Sequence, residues 1–137
     1  MPGKYVVVDG GRLVIEKWVG KTSCAEILAY EKRRAQDASI ANGAKLFTDA
    51  RAGEFAKTSD EFMQRVFELR EGPDCKAHLS VWAALLPASE IDQGRVWEAE
   101  AGRRGVRSVI FTSFDVACTY LGIDPVETQE LLDNIDP

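Results

Sequence analysis

Histidine occurs once in this chain, at His78. That excludes His-based metal clusters and leaves a Ser-His-Asp triad dependent on a residue at the start of an apolar run, where a structural or edge position is the simpler reading. Cysteine is scarce too. Cys24, Cys75 and Cys118 are odd in number and far apart, so they form neither a disulfide framework nor a zinc-ligand pair, and reduced thiols are expected. Long apolar runs are missing as well. The opening run from Tyr5 to Val8 is too short for a signal segment or a membrane span, so a cytoplasmic protein without stable membrane insertion is expected. Basic charge is not in excess: 17 Lys and Arg stand against 22 Asp and Glu, a net charge of -5. A surface of that sign repels phosphodiester backbones, and nucleic acid is not an expected partner. The G-x-x-x-x-G-K-[ST], G-x-G-x-x-G and C-x-x-C fingerprints are absent, so no cofactor is expected.

What the chain has is ordinary globular composition, 45% hydrophobic and 28% charged over 137 residues. A domain of that length removes roughly 68% of its unfolded-chain surface from water and needs no staple. No repeat, linker or low-complexity tract divides it, and a single domain over 1–137 is expected. Val6 to Val8 read as a strand entering an Asp9-Gly10-Gly11 turn, with Leu13, Ile15 and Trp18 in a second strand, a plausible hairpin. Ser23 and Glu26 form a capping box for a helix carrying Cys24, Ile27, Leu28, Ala35 and Ala38, stopped by Asn42-Gly43. Lys45 to Asp49 is a short buried strand, and Ala50 to Lys57 the loop after it. Thr58-Ser59-Asp60-Glu61 offers a second capping box, opening a helix whose Phe62, Val66 and Leu69 form one apolar stripe with Met63 and Phe67 beside it, and Gly72-Pro73 closes it.

His78 to Leu86 has the continuous apolarity of a central strand covered on both faces, ended by Pro87. A polar connection from Ala88 to Gly94 precedes a helix with Val96, Trp97 and Ala101, closed by Gly105. Val106 to Phe111 is the last strand. Thr112-Ser113-Phe114-Asp115 caps a short helix to Leu121, and Asp124-Pro125 starts a C-terminal helix at about 124–135 with Leu131, Leu132 and Ile135 available for docking. The order β-β-α-β-α-β-α-β-α-α demands an α/β fold: a mixed, mostly parallel sheet of about five strands with an N-terminal hairpin, flanked by helices. In such sheets ligands meet the loops beyond the strand carboxyl ends. Those loops are 49–59, 87–94 and 112–113.

Candidate chemistry is sparse. Cys24 lies in a first helical turn where a thiolate is stabilised, but a packed small side chain explains it as well. Asp9 and Asp49 both follow apolar strands, as in a phosphoryl-accepting receiver; that chemistry also needs a Lys after the last strand, where this chain has Thr112-Ser113. Glu98 and Glu100 read as a solvated helix face, and Arg103, Arg104 and Arg107 as a solvated helix end. The loop after the third strand is richer. Arg51 can hold an anionic group bidentately, Gly53 allows close backbone approach, and Phe55 is an apolar anchor beside Lys57. An Asp49–Arg51 ion pair that shapes the loop is the competing structural reading.

Three stretches resemble the SpoIIAA-like branch of the STAS superfamily, which is related in shape to the CRAL-TRIO lipid-binding domain. They are Lys45-Leu46-Phe47-Thr48-Asp49-Ala50-Arg51-Ala52-Gly53-Glu54-Phe55, the strand His78 to Leu86, and Val96 to Val106 running into Val109-Ile110-Phe111-Thr112-Ser113-Phe114-Asp115-Val116-Ala117-Cys118-Thr119-Tyr120-Leu121-Gly122. The resemblance implies a regulatory or ligand-binding domain without catalytic chemistry. In anti-sigma-factor antagonists of the superfamily a partner kinase phosphorylates a Ser after the Asp of the third strand; here Ala50 follows Asp49, and the nearest hydroxyls, Thr58 and Ser59, are the candidate phosphorylation sites, with helix capping as their competing role.

The resulting expectation is a non-enzymatic STAS-like domain that binds a protein partner or a small anionic or amphipathic ligand through Asp49, Arg51, Gly53, Phe55 and Lys57. Two alternatives are a lipid or apolar small-molecule carrier, which requires a cavity between sheet and helices, and an enzyme using Cys24 or the Asp49/Arg51 pair. Trp18, Trp82 and Trp97 supply aromatic surface for a homodimer or for the core. On the loop reading, Arg51→Ala weakens binding while changing stability by less than about 1 kcal/mol.

Overall fold

The two opening apolar runs pair with each other. Gly3–Val8 (β1) lies antiparallel to Leu13–Thr22 (β2), with Val6 opposite Ile15 and Val8 opposite Leu13. The computed structural model describes residues 2–73, 75 and 77–135, so the extreme ends of the domain expected over 1–137 lie outside the described residues. Between the strands Asp9, Gly10 and Gly11 all adopt positive φ, at 55°, 63° and 89°. Gly11 is required twice over, because its backbone is left-handed and a Cβ there would run into the carbonyl oxygen of Ser39; at Gly10 a Cβ would meet open space. Gly11→Ala is therefore expected to cost more than about 2 kcal/mol and Gly10→Ala no more than about 1. Urea unfolding of the two variants checks the difference.

The remaining elements are Cys24–Ala35 (α1), Ala44–Phe55 (β3), Asp60–Glu71 (α2), Leu79–Leu85 (β4), Ile91–Arg103 (α3), Arg107–Phe111 (β5), Phe114–Leu121 (α4) and Pro125–Asn134 (α5). The five strands stand in chain order across one sheet, parallel from β2 to β5. This is the mixed, mostly parallel α/β architecture that the element order demands. Right-handed crossovers that always step to the next strand in the same direction put their helices on one face. Accordingly Val14, Leu46, Trp82 and Ala84 pack with Met63, Phe67 and Ala101 beneath α2 and α3, and Trp18 and Ala50 pack with Ile27 and Tyr30 of α1. The alternate residues Leu13, Ile15, Phe47, Ala83 and Leu85 meet Ala117, Cys118, Leu121, Leu132 and Ile135 of α4 and α5 on the opposite face. Two lysines of that face close helix ends. Lys17 Nζ donates to the carbonyl of Leu132 at 3.0 Å, and Lys45 Nζ to that of Leu121 at 2.9 Å, placing cations against the negative ends of α5 and α4. None of the described helices is long and apolar enough to cross a membrane.

Several boundaries differ from the sequence reading. The first helix stops at Ala35, well before Asn42-Gly43, because the Asp37 carboxylate takes up the Ser39 amide at 2.9 Å and the Tyr5 hydroxyl at 2.6 Å, a local turn that competes with the helix. Its buried face is Ile27, Tyr30, Glu31 and Arg34, whereas Cys24 is half-buried and Ala38 exposed. The expected loop 50–57 is strand as far as Phe55, since Ala52 to Phe55 pair with Val19 to Thr22 beyond a register shift at Trp18. Ser59 caps α2 alone: its hydroxyl accepts the Phe62 amide at 3.1 Å, and with Phe62 at the third helical position there is no reciprocal glutamate. His78 is exposed and precedes β4. The helix α3 begins inside the expected 88–94 connection, where Gly94 lets it sit close on Leu86 and Ile110.

Glu98 and Glu100 are not a solvated face. The Glu98 carboxylate accepts the Ile110 amide at 2.8 Å, covering part of the free edge of β5. Glu100 is buried and accepts from Arg104, Arg103 and Gln64. Those bonds pull its carboxyl from 4.5 down to about 2. A carboxyl depressed in the folded state contributes stability above its unfolded pKa and loses it as pH falls toward the folded value. Glu100→Gln is expected to flatten the loss of stability between pH 4.5 and about 2, which thermal melts across that range would read.

Candidate functional site

Glu16 sits mid-strand in β2 on the face covered by α1 to α3, in phase with Val14 and Trp18, and is 3% exposed. A carboxylate so placed must be met by donors. It accepts from the Tyr30 hydroxyl, from Thr48 Oγ1 at 2.5 Å, from Arg34 Nη1 at 2.8 Å and from Trp18 Nε1 at 3.4 Å. Thr48 in turn accepts from Trp82 Nε1 at 2.8 Å. The second guanidinium nitrogen of Arg34 reaches Glu31 at 2.5 Å, and Glu31 also takes two bonds from Arg70, at 2.7 and 3.1 Å. Two carboxylates and two guanidiniums thus interlock across β2, α1 and α2, and their formal charges cancel. Burial alone would raise the Glu31 carboxyl, but Arg34 and Arg70 together hold it below the ordinary carboxylate range. Burial and the neighbouring Glu16 push the Tyr30 phenol well above its usual value, so it stays a proton donor.

This ionic layer is the floor of a cavity of about 100 Å³ between the sheet and the helices. Trp18, Trp82, Trp97 and Phe55 form its aromatic walls, with the rings of Trp18 and Phe55 5.6 Å apart. Ala50 and Ala84 leave the space open by their small size. Half-buried Thr58, Glu90 and Gln93 lie at the outer end. There Gln93 accepts the Thr58 amide and donates to the Ala56 carbonyl, both at 3.3 Å, while Glu90 accepts the Phe55 amide at 3.4 Å. The segments that follow β3 and β4 are stitched together by these bonds. They stand at the carboxyl ends of the strands, where open α/β sheets receive ligands.

The residues singled out in the loop after the third strand divide between the two faces. Asp49 and Arg51 form a bidentate pair, with bonds of 2.9 and 3.0 Å, on the α4/α5 side, where the guanidinium lies over the Phe114 ring at 5.0 Å. Gly53 is buried under the Phe55 ring, and Phe55 faces the cavity. The register shift at Trp18 explains the split, since one unmatched residue turns the following side chains to the other face. Lys57 is exposed, Ser59 is a helix cap, and Thr58 lines the cavity and accepts from Trp97 Nε1 at 3.3 Å. Asp9 pairs with Arg12 in the hairpin turn at 2.7 Å, so it forms no acidic cluster with Asp49. Among the described residues no group of His, Cys, Asp and Glu is arranged to hold a metal ion. Burial raises the Cys118 thiol.

Sequence reasoning did not assemble Glu16, Glu31, Arg34 and Arg70, nor bring the three tryptophans to one place. A signal existed: Glu16 shares the strand phase of Val14 and Trp18, and Glu31 and Arg34 share the helix face of Ile27 and Tyr30. No family model matches the chain, and no curated protein matches it.

Proposed function

We propose that this protein is a non-catalytic, STAS-like ligand-binding domain that holds a small, flat, largely apolar molecule in its tryptophan-lined cavity. One observation carries the reading: Trp18, Trp82, Trp97 and Phe55 surround a space between sheet and helices, at the carboxyl ends of the strands. The space of about 100 Å³ is well below the ~300 Å³ of drug-sized sites and smaller than the ~150 Å³ that takes a benzene in a packed core, so a ring enters it from the outer end beside Thr58, Glu90 and Gln93 without being wholly enclosed. A single ring with a short substituent suits it; a lipid chain does not. Toluene, added to ¹⁵N-labelled protein, is expected to shift the indole N–H signals of the three tryptophans saturably. Signals that stay still, or that drift linearly with concentration, would overturn the reading.

Arg51 is outside this site, so Arg51→Ala is expected to leave toluene affinity within about twofold of wild type, as for a residue with no shared partners. The same titration checks it. A second reading, contact with a protein partner or a second copy, is favoured by the exposed Val116 and Tyr120 of α4 and Val126 of α5, 55%, 38% and 66% exposed. Sedimentation of wild type and Val116→Asp tests it: an association lost in the variant supports the contact, and identical monomers in both remove the homodimer.

A further inference from the structure

The inner end of the cavity is closed by Arg70, which projects from α2. Its guanidinium is held firmly: Nε and Nη2 both bond Glu31, and Cζ lies over two rings, 5.1 Å from the Trp82 centroid and 5.2 Å from that of Phe67. Its side chain is 13% exposed. Among the described residues Nε and Nη2 bond only Glu31, and Nη1 has no hydrogen-bond partner. Arg70 lines both the aromatic cavity and the space behind it. Arg70 and Glu31 together form the wall between the aromatic cavity and a second one of about 250 Å³ on the far side of the pair.

Resting on the binding reading above, we infer that Arg70 reads the ligand, and that the cavity selects a flat, uncharged molecule carrying a hydrogen-bond acceptor such as a carbonyl oxygen. A guanidinium offers only donors, so the complementary group must accept. Two of its nitrogens are committed to Glu31 and its plane is fixed by two aromatic faces, so the remaining N–H groups are preorganised and little is lost in ordering them. Charge decides between a neutral acceptor and an anion. Glu16 and Glu31 already balance Arg34 and Arg70, so an anionic ligand would enter as an uncompensated charge close to two buried carboxylates. A carbonyl takes the bond without that cost. The walls add the rest of the selection, since ring faces at Trp18, Trp82 and Trp97 favour a planar body.

Three compounds of one shape separate the possibilities. α-Methylstyrene has no strong acceptor, acetophenone has a neutral one, and benzoate carries a charge. Titrations followed by the Trp82 indole signal are expected to rank acetophenone at least about tenfold tighter than either of the others, the order of effect of one hydrogen bond to a charged donor. Arg70→Lys keeps a cation opposite Glu31 but loses the spare planar N–H groups. In that variant the advantage of acetophenone over α-methylstyrene, read as a ratio within the same protein, should shrink to within about twofold. Benzoate binding as tightly as acetophenone, or acetophenone no tighter than α-methylstyrene, would overturn the role of Arg70 while leaving a binding cavity in place. If none of the three moves any indole signal, the binding reading falls and this inference with it. Should Arg70→Lys not fold, the ranking in wild type still decides.

Discussion

Glu16→Leu is expected to destabilise the fold by about 3–5 kcal/mol, more than any other single change considered for this chain. The substitution preserves bulk but leaves Arg34 with one carboxylate where it had two, and it removes the acceptor of the Tyr30 and Thr48 hydroxyls. A buried donor left unsatisfied costs its full desolvation, and a buried guanidinium left half-paired costs more. The cause can be separated from simple misfit by a second change. Glu16→Leu combined with Arg34→Met restores charge balance, with Glu31 and Arg70 still paired, and should recover at least half of the loss. Urea unfolding of the two single variants and the double variant measures the coupling. Additive losses would show that the ionic layer does not act as a unit.

The second large effect concerns the cavity. Ala84 lies on β4 between Thr48 and Ile110, is 2% exposed, and borders the open space. Ala84→Ile places three more carbons there in a residue suited to a strand. Binding of toluene is expected to fall at least about a hundredfold, while the melting temperature stays level or rises, because filling an apolar void adds contacts. Titration and thermal melts on the same sample check both halves. Reduced binding together with a large loss of stability would mean that the side chain has disrupted the sheet instead of occupying the cavity.

Much of the fold was legible because local signals and layer logic agreed. The capping box of Ser23 and Glu26, the cap at Ser113, and Asp124 followed by Pro125 mark helix starts where the structure has them. The alternation of strands and helices after the hairpin leaves a mostly parallel sheet as the natural outcome. What stayed hidden depends on contacts distant in sequence. Nothing local in Ala52-Gly53-Glu54-Phe55 says strand; they are strand because Val19 to Thr22 lie beside them. The register shift at Trp18 then reverses which residues share a face, so Phe55 and Arg51, four apart in one segment, serve opposite sides of the sheet. Charged residues belong at the surface by default, and Glu16, Glu31, Arg34 and Glu100 are exceptions because each finds its counter-charge on a neighbouring element or turn.

The central claim, that the tryptophan-lined space takes a ligand, is tested most directly by soaking crystals of the protein with bromobenzene and locating bromine by its anomalous scattering. The account predicts one strong peak bounded by Trp18, Trp82 and Trp97, with Arg70 still bonded to Glu31. Bromine found only elsewhere, such as over Val116 and Tyr120, with the indole rings collapsed onto one another, would contradict it.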